Sequence, residues 1–111
     1  MKVTFQGFVP VPAAGTKVRL STDTDLRVAQ IWFTPVPGAT GAVSIGGSTL
    51  VASTGVGRMA KIPPAAAAPA SAGPQPFVVE SCDGSNGLYP ADFYLDAAVN
   101  GEGLDVTLFQ R

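Results

Sequence analysis

Apolar and polar side chains alternate in two runs between Asp92 and Phe109. Phe93, Leu95, Ala97 and Val99 mark one face of the first run, and Leu104, Val106 and Leu108 mark one face of the second. A two-residue period belongs to half-buried strands. Between the runs lies Asn100-Gly-Glu-Gly103, whose two glycines and asparagine accept positive φ at low cost. The pattern predicts an antiparallel hairpin. A lone hairpin is marginal in water, so the rest of the chain must cover its apolar face.

The same period recurs upstream. Residues 2–8 alternate, with Val3 and Phe5 opposed to Thr4 and Gln6. Pro10 and Pro12 make the next stretch extended and then turning, since proline cannot donate to a ladder. Residues 16–21 alternate again, with Val18 and Leu20 inward and Lys17 and Arg19 outward. Ser21, Asp23 and Asp25 suit a polar turn whose side chains bond the local backbone. Residues 26–33 carry apolar side chains on both faces: Leu26, Val28 and Trp32 on one, Ala29, Ile31 and Phe33 on the other. Such a strand is covered on both sides, or on one side by another subunit. Residues 42–45 form a short strand ended by Gly46-Gly47, with 48–52 as its hairpin partner. Residues 58–62 and 77–80 complete the set. About eight short strands separated by Gly/Pro turns, without a useful helix-period segment, predict one all-β domain over residues 1–111. Its expected form is a β-sandwich or small barrel of jelly-roll or Greek-key type.

Residues 63–76 break the pattern. They hold five prolines and six alanines, which favours an extended loop or arm over a core element. The 35 residues after it are too few for a second core, so it is not a domain linker.

Charged residues make up only 14% of the chain, below the usual quarter. Either a partner covers part of the surface, or this is an ordinary small Gly- and Pro-rich β domain. The net charge of −1 gives no bulk attraction to nucleic acid. Lys2, Lys17, Arg19, Arg27, Arg58 and Lys61 against Asp23 and Asp25 leave the first 61 residues at +4. Arg111 against Glu80, Asp83, Asp92, Asp96, Glu102 and Asp105 leaves the remainder at −5. If the fold separates these halves, subunits would pair head to tail. The single Cys82 permits no intrachain disulfide and reads as a small, partly buried side chain. Gln6, Gly7 and Pro10 break any apolar leader helix. The uncharged span 28–57 contains Pro35, Pro37 and six glycines, which argues against a membrane helix.

Candidate chemistry is sparse. Without histidine the commonest general base and the usual catalytic-zinc ligands are missing. Asp92 and Asp96 would be an acid/base pair if they faced a groove, but read as the solvated face of a strand. Asp23 and Asp25, with Asp83 and Asn86, would offer oxygens to calcium, yet keep no recognised loop spacing. Trp32, Tyr89 and Tyr94 would make a sugar-stacking platform if they converged; core or interface packing is the plainer reading. Neither an enzyme nor a bound cofactor is expected.

Three ordered pieces carry a family resemblance: Val28-Ala-Gln-Ile-Trp-Phe33; Gly41-Ala-Val-Ser-Ile-Gly-Gly-Ser-Thr49 followed by Ser53-Thr-Gly55; and Asp92-Phe-Tyr-Leu-Asp96 with Val99-Asn-Gly-Glu-Gly103. Over residues 17–109 the chain resembles small virion proteins of tailed bacteriophages, of the capsid decoration or cement type. The resemblance implies a protein made in the host cytoplasm and resident on the virion capsid surface. Its implied partners are the major capsid protein and its own copies, most simply as a homotrimer. The expected contact residues are Val3, Phe5 and Phe8 in the first strand, Val28, Ile31, Trp32 and Phe33 in the apolar strand, and Pro63, Pro64, Pro69, Pro74 and Pro76 in the arm. The alternative is a tail or baseplate accessory protein, or a receptor- or carbohydrate-binding β module.

Overall fold

A computed structural model describes residues 2–64, 76–81 and 87–110. Eight strands among these residues run β1 Lys2–Pro10, β2 Val18–Arg19, β3 Gln30–Pro35, β4 Val43–Val51, β5 Val56–Ile62, β6 Phe77–Glu80, β7 Tyr94–Ala97 and β8 Gly103–Gln110. They form two antiparallel four-stranded sheets, ordered β1-β8-β3-β6 and β2-β7-β4-β5. The two inner faces meet in one core. Ile31, Phe33, Leu104 and Val106 come from the first sheet, and Val43, Ile45, Leu95 and Ala97 from the second.

The expected hairpin is replaced by an arch. β7 pairs with β2 and β4, whereas β8 pairs with β1 and β3. The chain therefore crosses from one sheet to the other between Ala97 and Gly103. Each strand has one apolar face, and facing those two faces across the core buries more apolar surface than setting the strands side by side. Val99, expected on the inner face, lies beyond the end of β7 and is exposed.

Two other boundaries move. Gly46-Gly47 does not end a strand, because β4 runs through both and pairs with β5 rather than with residues 48–52. The turn comes later, where the Thr54 and Gly55 amides donate to the Val51 carbonyl. A Cβ on Gly46 would collide with the carbonyl oxygen of Gly57, so this glycine serves close backbone approach at a register shift. The apolar strand begins at Gln30, not at residue 26. Val28 makes an isolated bridge to Leu88, and both Val28 and Ile31 are buried. An irregularity at Ala29 thus resets the phase, so strict alternation across residues 26–33 fails.

Residues 65–75 of the Pro/Ala arm, including Pro69 and Pro74, lie outside the described residues, as do Cys82, Asp83 and Asn86.

Candidate functional site

Directly paired residues in an antiparallel ladder share a face. The register therefore defines the outer face of the β1-β8-β3-β6 sheet. One row across it reads Phe5, Thr107, Trp32, Val78; the next reads Val3, Phe109, Gln30, Glu80. Phe8 stands opposite Asp105 further along. Phe5 is 79% exposed, and Phe8, Val3 and Val78 are exposed as well. Trp32 and Phe109 pack with ring centroids 5.1 Å apart at 48°. The Trp32 indole N–H donates to Gln30 Oε1 at 3.1 Å, and Gln30 Nε2 donates to Glu80 Oε1 at 3.1 Å. These bonds fix the tryptophan against the sheet and leave an apolar surface across its middle.

β1 is one of the two edge strands of this sheet, β6 being the other. A register shift between Phe5 and Gly7 turns Gln6 sideways, and its Nε2 donates to the Leu20 carbonyl at 2.7 Å. Gly7 has φ of 81°, which a side-chain-bearing residue rarely adopts. The bulge closes one flank of the sandwich while keeping Phe5 and Phe8 on the outer face.

Of the expected contact residues, Val3, Phe5, Phe8 and Trp32 are brought together on this face. Val28, Ile31 and Phe33 are not; all three are at most 1% exposed and pack the core, so they cannot touch a partner in the folded domain. Pro63 is exposed, and Pro64 and Pro76 are half-buried.

The sugar platform does not form. Trp32 is on the outer face of one sheet and Tyr94 on the outer face of the other. Tyr89 stands instead under the Arg27 guanidinium, 5.8 Å from its ring centre. Asp92 and Asp96 also separate. Asp92 is exposed in a 3-10 turn over Pro90–Asp92, whereas Asp96 is 2% exposed in β7. Asp96 is therefore not the solvated strand residue that its alternation suggested. Its Oδ1 accepts the Gly15 amide at 3.0 Å. Asp23 behaves as its turn chemistry predicts, accepting the Asp25 amide at 3.0 Å. No group of three or more potential metal ligands occurs among the described residues.

The outer face of the second sheet differs in character. Asp96, Ser44 and Lys61 lie in one row across β7, β4 and β5. Lys17 and Arg19 each approach the Tyr94 ring to 6.0 Å, and Arg19 Nε donates to the Ala91 carbonyl at 2.7 Å. Arg58 stands at the register of Gly46. Basic groups thus gather on this side, while Asp105 and Glu80 edge the apolar face on the other.

The Asn100-Gly-Glu-Gly103 segment makes the expected turn, with the Glu102 amide donating to the Val99 carbonyl at 3.2 Å and Gly101 at φ of 81°, and it also acts as a clamp. Asn100 Oδ1 accepts the Ala14 amide at 2.8 Å, and the Gly101 amide donates to the Val11 carbonyl at 2.8 Å. The Glu102 carboxylate accepts the Thr40 and Gly41 amides at 2.9 and 2.8 Å. Those two backbone bonds, Thr40 first, hold its pKa below the ordinary carboxylate value.

Among the described residues no helix is long and apolar enough to cross a membrane. Comparison of the chain with protein-family models, with curated proteins and with solved structures finds no match.

Proposed function

We propose that this protein is a structural subunit of the capsid decoration kind, docking through the outer face of the β1-β8-β3-β6 sheet. The observation that carries this reading is the row Phe5, Thr107, Trp32, Val78 with Val3, Phe109 and Phe8 beside it. Contiguous exposed apolar surface of this kind marks a binding face. Complete burial of a phenylalanine side chain contributes about 1.5–3 kcal/mol, so a few such residues carry a useful contact.

The partners in this reading are the major capsid protein and further copies of this chain, as a homotrimer over a joint between capsid subunits. The strand orders fit the eight-stranded, two-sheet jelly-roll arrangement, which recurs in viral capsid and lectin domains. Fold alone does not carry function, so the apolar face bears the weight. The work is thermodynamic and needs no reacting group. Binding only the assembled lattice stabilises it by mass action, and many copies multiply a modest single contact. The proline- and alanine-rich composition of residues 63–76 suits a second, extended contact.

The test is co-sedimentation with expanded heads stripped of small outer proteins. The wild-type chain pellets with the heads and raises their disruption temperature. Phe5→Asp, still folded by circular dichroism, does neither. Wild-type protein that stays in the supernatant, or a Phe5→Asp variant that binds equally well, contradicts the reading.

A further inference from the structure

The two sheets have four edge strands, and three of them carry a feature that discourages another strand. β2 is two residues long. β6 has four residues and carries Glu80, which is tied to Gln30. β5 carries Arg58 and Lys61 and meets β4 with two register shifts. Short, charged or bulged edges do not template pairing. β1 differs. Residues 2–5 run regularly up to the bulge, hold no proline and carry one charge, Lys2.

The hydrogen bonds fix which backbone groups of β1 face away from the sheet. The Ser81 amide donates to the Ala29 carbonyl at 2.9 Å, and the Ala29 amide donates to the Phe109 carbonyl at 2.7 Å. Gln30 stands opposite both Glu80 and Phe109. These bonds make Gln30–Glu80 a pair without mutual backbone bonds and Gln30–Phe109 a pair with them. Phe109 and Thr107 therefore turn their backbone groups to β3, and Leu108 and Gln110 turn theirs to β1. Lys2 and Thr4, opposite Gln110 and Leu108, bond to β8. Val3 and Phe5 are left with N–H and C=O pointing out of the edge, where no described strand lies. Val3 is 40% exposed and Phe5 79%. Beyond them the Gln6–Leu20 bond closes the flank.

We infer that this edge pairs with β1 of a second copy, antiparallel about a two-fold axis at Thr4. That register sets Val3 opposite the second copy's Phe5 twice, and Thr4 opposite Thr4. The two outward residues of each copy exchange four backbone bonds. Valine opposite phenylalanine and threonine opposite threonine are favourable cross-strand pairs. Lys2 falls opposite Gln6, so no like charges meet. No other register uses the outward groups of both residues within the regular stretch. The pairing also sets the two apolar outer faces side by side. The contact is small, so it forms at high local concentration, as between copies held on one surface. It joins copies two at a time through the edge, and in the docking reading it links neighbouring trimers rather than building one. It does not rest on that reading.

The test is disulfide trapping at millimolar concentration, in the full chain carrying Cys82→Ser. Opposed residues of a pair without backbone bonds have Cα atoms about 4.5 Å apart, within disulfide reach. Thr4→Cys links to itself on mild oxidation, whereas Lys2→Cys, set opposite Gln6, does not. Amide exchange of the unsubstituted chain gives a second reading: Val3 and Phe5 slow as concentration rises, while Thr4 is slow throughout. Val3→Pro removes only an outward N–H, so it keeps the fold and weakens pairing by about tenfold or more. Absence of a Thr4→Cys dimer, equal trapping of Lys2→Cys, or Val3 and Phe5 amides that exchange alike at every concentration overturns the inference. No capsid particle is used, so such a result leaves the docking reading standing.

Discussion

Each residue of Asn100-Gly-Glu-Gly103 fixes a different contact. Gly103 has no room for a side chain, because a Cβ there would collide with the Val9 carbonyl oxygen and sit 2.9 Å from Pro10 Cα. Gly103→Ala is therefore expected to destabilise the fold by about 2–4 kcal/mol, read as a lower urea midpoint with unchanged slope. Glu102 ties the arch to Thr40 and Gly41 as a carboxylate. Its native pKa lies below the ordinary value of 4.5, so its contribution is present above that value and is lost as pH falls through the lower native one. The stability gap between wild type and Glu102→Gln should accordingly be seen at neutral pH and shrink in acid below about pH 4.5. A gap that stays constant down to acid unfolding contradicts the assignment.

At the scale of elements, period-two alternation was enough to find most strands, although the alternating apolar residues of β1, Val3 and Phe5, face outward. β1, β2, β5, β6 and β8 lie where alternation puts them, within a few residues. What alternation cannot encode is the neighbour of each strand. The apolar faces of β7 and β8 looked the same whether paired or opposed, and the choice was made by burial across the core. Gly46-Gly47 misled for a related reason, since a glycine pair signals a turn or a close approach equally well. The candidate site was partly legible. Val3, Phe5, Phe8 and Trp32 stood out as apolar, but Val28, Ile31 and Phe33 stood out in the same way and went to the core. Asp96 stood out only as a possible partner of Asp92 and read as solvated; its burial was not legible, because the 13–16 turn that bonds it is distant in sequence. The two classes of phenylalanine now predict opposite behaviour. Phe5→Asp on the exposed face should change unfolding free energy by less than about 0.5 kcal/mol, whereas Phe33→Ala should cost about 3–5 kcal/mol.

At the scale of the whole molecule, the two outer faces differ in chemical character. One is apolar and edged by Asp105 and Glu80; the other carries Lys17, Arg19, Arg58 and Lys61 around a buried carboxylate. If copies meet through the apolar face, sedimentation velocity at micromolar concentration should give an oligomer, most simply a trimer, that Phe5→Asp dissociates. A wild-type chain that sediments strictly as a monomer removes self-association from the account. The most direct measurement is carbene footprinting of the chain on purified heads against the free chain at a dilution where it sediments as a monomer. Phe5, Phe8 and Trp32 are predicted to lose labelling on the particle, while Met59 and Val56, exposed in β5, keep theirs. Equal labelling of Phe5 in both states, or protection of β5 in place of β1, would contradict docking through the apolar sheet.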